Sequence, residues 1–413
     1  MENTAKNTIF ASETNNKPMK LYNFDNVIDR HGTSAIKIEH LDMVFGRHDV
    51  TPLWIADLDF AVCPQITEAL TERLRHPVWG YSDARDSYWQ SIIDWLRRRH
   101  GFGVCREELS FIPGVVKGIA YAVNYFTREG DGILIQTPVY YPFRVVAEGN
   151  KRRIVENPLL FKDGRYSMDL DGFEEVVKRE KPKMMILCNP HNPIGIQWDE
   201  AAMARVAKVA RENGMIVVSD EIHGDLMLDG RRHIPFLSVS DDARAVGVML
   251  GAPSKTFNIP GLVSSWMVVK NPQIRKEFYA WLGANEFNLP MLISTIGAEA
   301  AYTKGERWLD EMLEYVSANI DFVIDYCKEY IPQVGVIRPE ASFLIWLDFR
   351  KLHMCQRDVM ELLLDKAHLA LNDGSMFGSQ GIGFARLNIG APRSVIAQAL
   401  ENLRSAVGCV CKQ

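Results

Sequence analysis

Between Gly114 and Lys270 the chain alternates between two patterns, and together they leave few folds open. One is a short apolar run with no polar residue at every second position: Gly132-Ile133-Leu134-Ile135-Gln136-Thr137, Arg153-Ile154-Val155, Lys183-Met184-Met185-Ile186-Leu187-Cys188, Met215-Ile216-Val217-Val218-Ser219, Val246-Gly247-Val248-Met249-Leu250 and Ser265-Trp266-Met267-Val268-Val269. The other has helical spacing: Val116 to Phe126, Asp171 to Lys181, and a stretch that Asp199 caps and Asn213-Gly214 ends. Strands without alternation are covered on both faces, so the pattern predicts an α/β fold whose large domain holds a mostly parallel sheet. Ligands on such sheets gather at the carboxyl ends of the strands. Asn189, Asp220 and Lys255 all fall there.

Outside this stretch the pattern changes. Residues 1–20 read as a flexible arm, 21–60 as a segment that associates with a small domain, 61–290 as the large domain that would hold the ligand and 291–413 as a smaller α+β domain. That last part carries helices over Trp308 to Tyr330, Asp358 to His368 and Pro392 to Val407, around strands at Ser342 to Phe349 and Arg386 to Ile389. A chain of 413 residues can bury a core of this size. A net charge of -5 argues against general affinity for nucleic acid. Seven scattered cysteines lack metal-ligand spacing and suit a reducing compartment, and Cys409-Val410-Cys411 is too tight for a CxxC pair. With no apolar stretch near the roughly 20 residues of a membrane span, a cytoplasmic location is expected.

Lys255 lies in Ala252-Pro253-Ser254-Lys255-Thr256-Phe257-Asn258-Ile259-Pro260-Gly261. Alone, a lysine between Ser and Thr reads as a solvated surface residue. Its context differs: Asp220 ends a buried strand, where an unpartnered carboxylate is costly, and Asn192 sits in the Asn189-Pro190-His191-Asn192-Pro193-Ile194-Gly195 turn after another strand. An amine, a carboxylate and an amide at neighbouring strand ends meet the needs of a pyridoxal phosphate site. The amine condenses with the cofactor aldehyde, the carboxylate keeps the pyridine nitrogen protonated, and the amide bonds the phenolic oxygen. His223 is placed to reach the same oxygen, or is structural. Pro113-Gly114-Val115-Val116 opens a helix whose free N–H groups at Val115 and Val116 suit a phosphate, and Ser254 adds a hydroxyl. Tyr140 either stacks on the cofactor ring or belongs to the core.

These residues resemble the fold-type I pyridoxal phosphate enzymes, the aspartate aminotransferase-like superfamily of class I and II aminotransferases. Within it the chain is most similar to the bacterial C–S lyases of the MalY/PatB type, the cystathionine β-lyases. The likeness rests on Phe24-Asp25-Asn26-Val27-Ile28-Asp29-Arg30, Pro52-Leu53-Trp54-Ile55-Ala56-Asp57-Leu58-Asp59-Phe60, Ser219-Asp220-Glu221-Ile222-His223, Ser254 to Asn258 and Phe384-Ala385-Arg386-Leu387-Asn388. It implies that Lys255 carries the cofactor, Arg386 holds the substrate α-carboxylate and Ala56 lines the substrate side. It also implies a homodimer, with Tyr81 of one subunit reaching the cofactor phosphate of the other.

The chain departs from the pattern at three places. Val263 stands where aminotransferases often carry a phosphate-binding arginine, Leu58 replaces the usual Met, and Ile196-Gln197-Trp198 replaces Arg-Val-Trp. The first favours a lyase, and the others leave substrate preference open. The activity implied is β-elimination from a sulfur amino acid to a thiol, pyruvate and ammonia, with Lys255 as the base. An aminotransferase, and a regulatory binding protein with residual lyase activity, are the alternatives.

Overall fold

The structure is a computed structural model and describes residues 20–410. The arm expected over residues 1–20 and Cys411 lie outside these residues, apart from Lys20. The described chain begins with short helices at Ile36–Glu39 and Leu41–Phe45 and a two-residue strand, β1 (Thr51–Pro52). The central sheet is built from β2 (Leu109–Ile112), β3 (Gly132–Ile135), β4 (Arg153–Glu156), β7 (Met184–Cys188), β8 (Ile216–Asp220), β9 (Gly247–Gly251) and β10 (Ser265–Val268). The hairpin β5 (Leu160–Lys162) and β6 (Arg165–Ser167) stands apart from it. The strand order is β2-β10-β9-β8-β7-β3-β4, parallel except that β10 runs against both neighbours. β7, β8 and β9 are nearly fully buried along their length, as strands covered on both faces must be.

Helices at Val115–Phe126, Pro142–Gly149, Leu170–Glu180, Glu200–Glu212 and Pro272–Ala284 flank this sheet. The Asp199 side chain accepts the Ala202 N–H at 2.8 Å and caps its helix, as expected. Two apolar clusters lie on the sheet's opposite faces. Met185, Leu187, Val217 and Met249 point into one, and Met184, Ile186, Val218, Val248 and Leu250 into the other.

A second, antiparallel sheet has the order β11 (Gly335–Ile337), β12 (Leu344–Asp348), β15 (Phe384–Asn388), β14 (Asn372–Asp373). The long helices Glu306–Tyr330 and Arg393–Val410 pack on each other beside it. β1 pairs in parallel with β13 (Leu369–Ala370), and the Asn388 N–H donates to the Leu53 carbonyl at 2.9 Å. The segment after β1 is thereby tied to the C-terminal sheet. Helix Gln356–Glu361 continues into a wider π turn, Leu362–Lys366, where the sequence suggests one unbroken helix. No described helix is long and apolar enough to cross a membrane.

Candidate active site

β7, β8 and β9 end at neighbouring positions because their registers align Cys188 with Asp220, and Asp220 with Leu250. The loops leaving these ends surround a cavity of about 320 Å³. Lys255, Asp220, Asn192, His223, Tyr140, Ser254, Val115, Val116 and Ala56 all line it. Arg386 forms buried structure beside it, and Tyr81 is fully exposed away from it.

Lys255 sits on a single helical turn, Pro253–Thr256, directly after β9. Its ammonium donates to the Ala56 carbonyl. Burial lowers its pKa to about 8, with Arg386 acting in the same direction and Asp57 and Asp220 opposing. Asp220, the last residue of β8, accepts the Ile222 N–H at 3.1 Å. Burial raises its pKa to about 7, and Glu221 adds to the rise. A carboxyl held near neutrality by desolvation is poised for a cationic partner.

Asn192 is held by both its side chain and its main chain. Its carbonyl accepts from Arg386 Nη1 at 3.1 Å while the residue lines the cavity, and its main-chain carbonyl accepts the Tyr140 N–H at 3.0 Å. Arg386 also donates to the Trp54 carbonyl at 2.9 Å and to Asn372 Oδ1 at 2.6 Å, and it lies 5.1 Å from the Phe377 ring centre. Its Nε is buried without a hydrogen-bond partner, and burial depresses its pKa to about 10. His223 is buried and neutral, its pKa lowered to about 3 by desolvation and by the charges of Lys255 and Arg386. Its Nδ1 has no partner either. The helix Val115–Phe126 points its N-terminus at the cavity from Gly114, whose φ of 127° is one that glycine adopts without strain.

One segment spans the two sheets at this point. Asn388 Nδ2 donates to the carbonyls of Ile55 at 2.6 Å and Asp57 at 2.7 Å, binding residues 55–57 to the C-terminal sheet. From the other side, Asn258 Nδ2 donates to the carbonyls of Leu58 and Phe60, both at 2.9 Å, and its Oδ1 accepts the Leu58 N–H at 3.0 Å. Asn258 is three residues past Lys255, so this clamp holds the Ala56 carbonyl against the amine.

Several supporting residues escaped the sequence reading. Glu221 and Asp225 flank Asp220 and His223 but point away from the cavity. Glu221 accepts from Ser219 Oγ and the Phe236 N–H, both at 2.8 Å, and meets His233 Nε2 at 2.7 Å. Asp225 accepts from Thr256 Oγ1 and Trp95 Nε1, both at 2.8 Å, and meets His100 at 2.7 Å. Both carboxylates brace the strand end and the lysine turn from behind. The change of face after Asp220 was the available signal. Ser264 and Lys117 also line the cavity unforeseen.

The departures at Leu58 and Gln197 lie away from the cavity lining. Leu58 is core, and Gln197 links Asn189 Oδ1 at 2.8 Å to His233 Nδ1 at 2.7 Å. Val263 does line the cavity, in a left-handed conformation with φ 54°.

Residues 48–403 match the family described as "Aminotransferase class I and II". The cystathionine beta-lyase PatB of Bacillus subtilis is 39% identical over 93% of this chain and its own full length. The protein MalY of Escherichia coli is 31% identical over 94% of this chain and all of its own. The crystal structure of cystalysin from Treponema denticola, which contains a pyridoxal 5'-phosphate cofactor, superposes with a TM-score of 0.90 at 32% identity, covering 94% of this chain and 99% of that one. The chain belongs to the class I and II aminotransferase family, in the branch that holds PatB and MalY.

Proposed function

We propose that the chain is a pyridoxal phosphate-dependent carbon–sulfur β-lyase, which converts a cystathionine-like amino acid to a thiol, pyruvate and ammonia. The observation that carries this reading is the Lys255 amine and the Asp220 carboxyl in one cavity, with pKa values moved to about 8 and about 7. The cavity fits the cofactor: Asp220 is a buried acid with only one backbone donor, and the buried His223 Nδ1 and Arg386 Nε lack partners. The Val115 and Val116 N–H groups with Ser254 suit a phosphate at the helix N-terminus. When bound, pyridoxal phosphate supplies an aldehyde that takes up amines and a ring that accepts the electrons of a broken bond.

The protein's part is to hold and move protons around that ring. Asp220 would keep a proton on the pyridine nitrogen, and the amide of Asn192 and neutral His223 would face the phenolic oxygen. Arg386, already tied to Asn192, would grip the substrate α-carboxylate, orienting the α-hydrogen toward Lys255. With its pKa near the working pH, Lys255 serves as the base that takes the α-proton. The Cβ–S bond then breaks, the thiolate leaves with a proton, and the three-carbon fragment hydrolyses to pyruvate and ammonia. Ala56, whose carbonyl holds the amine, lines the substrate side.

The active unit in this reading is a homodimer with shared sites. Tyr81, exposed beside Val78 and Trp79, would reach the partner's phosphate. Pyruvate release from L-cystathionine, with and without 2-oxoglutarate, tests the activity. The expected result is release that does not depend on the oxo acid and is absent in Lys255→Ala, which also no longer carries the covalent label that borohydride fixes on the parent after incubation with pyridoxal phosphate. Dependence on the oxo acid would make it an aminotransferase.

A further inference from the structure

Directly behind Ala56 lies a closed cluster of four charged side chains. Arg30 Nη2 meets Asp57 Oδ2 at 2.7 Å and Arg30 Nη1 meets Asp59 Oδ1 at 2.7 Å. Lys37, fully buried on the helix Ile36–Glu39, meets Asp59 Oδ2 at 2.7 Å and Asp57 Oδ1 at 3.6 Å. Asp59 therefore has two close partners, and Asp57 has one. The second oxygen of Asp57, Oδ1, is buried and accepts no hydrogen bond. A buried carboxylate oxygen left in that state is costly and calls for an explanation.

Asp57 is also fixed as a backbone element. Its carbonyl is bound by Asn388, and the residue before it receives the Lys255 amine. The charge on Asp57 is thus held at a set distance from that amine by the clamp between Asn388 and Asn258. The other groups facing Lys255 are Asp220, which also favours the ammonium form, Arg386, which opposes it, and the buried neutral His223. Asp220 and Arg386 are committed to the cofactor and the substrate in the reading above, so their charges are matched by ligands during turnover. Asp57 has no part in either contact, its partners being Arg30 and Lys37.

We propose that Asp57 is a positioning residue that sets the proton affinity of Lys255, with Arg30 and Lys37 grading how much of its negative charge the amine senses. This rests on the reading of Lys255 as the cofactor lysine and base. A cluster that only pins residues 55–59 in place would have no such effect on titration. The two cases differ in sign. Asp57→Asn removes the anion and lowers the pKa of Lys255, while Arg30→Gln removes a compensating cation and raises it.

The test uses the full chain free of cofactor. Acetylation of Lys255 by trace acetic anhydride is followed across pH 6 to 11, read by mass spectrometry of its peptide. Relative to the parent protein, the Asp57→Asn midpoint should fall by on the order of one pH unit and the Arg30→Gln midpoint should rise. Arg30→Lys, which keeps the charge, should titrate like the parent. Shifts of the same sign in both variants, or none, would overturn the proposal. If Asp57→Asn does not fold, the Arg30→Gln and Arg30→Lys pair still decides the sign. Failure of the Lys255 reading has a separate signature, since Lys255→Ala would then still take up the covalent pyridoxal phosphate label fixed by borohydride.

Discussion

Asp220 shows how a single buried side chain ties stability to function. Its pKa of about 7 in the fold, against 3.8 for the free side chain, means that the folded protein prefers it protonated. Its contribution is therefore fully present below about pH 4 and is lost as pH rises through 7. Asp220→Asn cannot ionise, so the cofactor-free variant should gain on the parent over that window, to a plateau on the order of 4 kcal/mol. Below pH 6.5 the buried neutral His191 and His223, with pKa values lowered to about 4 and about 3 by desolvation, destabilise both proteins alike. Urea unfolding at pH 5 and pH 8 checks this, and an equal gap at both would contradict the burial argument. The variant should also bind pyridoxal phosphate more weakly. At this scale the order of Asn192, Asp220 and Lys255 was readable because each follows an apolar strand. The charges around Asp57 were not, since Arg30 and Lys37 join it only through the fold.

Among the elements, β9 and the turn after it matter most. Gly251 ends β9 opposite Trp266, and a Cβ there would come within 2.3 Å of the indole ring, which donates to Tyr302 at 2.8 Å. Gly251→Ala should therefore cost about 1–3 kcal/mol through overpacking and disturb the turn that carries Lys255. Thermal unfolding together with pyridoxal phosphate titration measures both, and an unchanged melting temperature would sink the prediction. The buried strands were legible in the sequence, but the reversal of β10 was not. A strand covered on both faces has the same apolar pattern in either direction. The helices Pro64–Leu74 and Asp86–His100 passed unread because neither has a capping side chain at its start, although Pro64 at the first position and the basic last turn before Gly101 are helix signals.

At the scale of the whole molecule, six of the exposed apolar residues lie around one helix. Val78, Trp79 and Tyr81 lie in the loop between two helices that pack against the helix Leu292–Lys304, and Leu289, Met291 and Ile293 are exposed at its start. Such a patch favours association. If Tyr81 completes the partner's site, a mixed dimer of Lys255→Ala and Tyr81→Ala subunits contains one intact site. Mixing the two impaired variants under subunit exchange should then restore about one quarter of parent activity, since half the dimers are mixed and each has one good site. Activity no greater than the sum of the two variants alone would refute the shared site.

The sequence by itself determined the α/β architecture and the cofactor chemistry, because strand burial and the residues at strand ends are local properties of the chain. The tertiary structure alone decided how the N-terminal segment meets that chemistry. Asn388 and Asn258 lie far apart along the chain and grip residues 55–60 from opposite sides, and Arg30 and Lys37 set the charge behind Ala56. The asparagine contacts reach across 198 to 333 residues and leave no local pattern to read, since their strength depends on distances that exist only once both sheets are assembled.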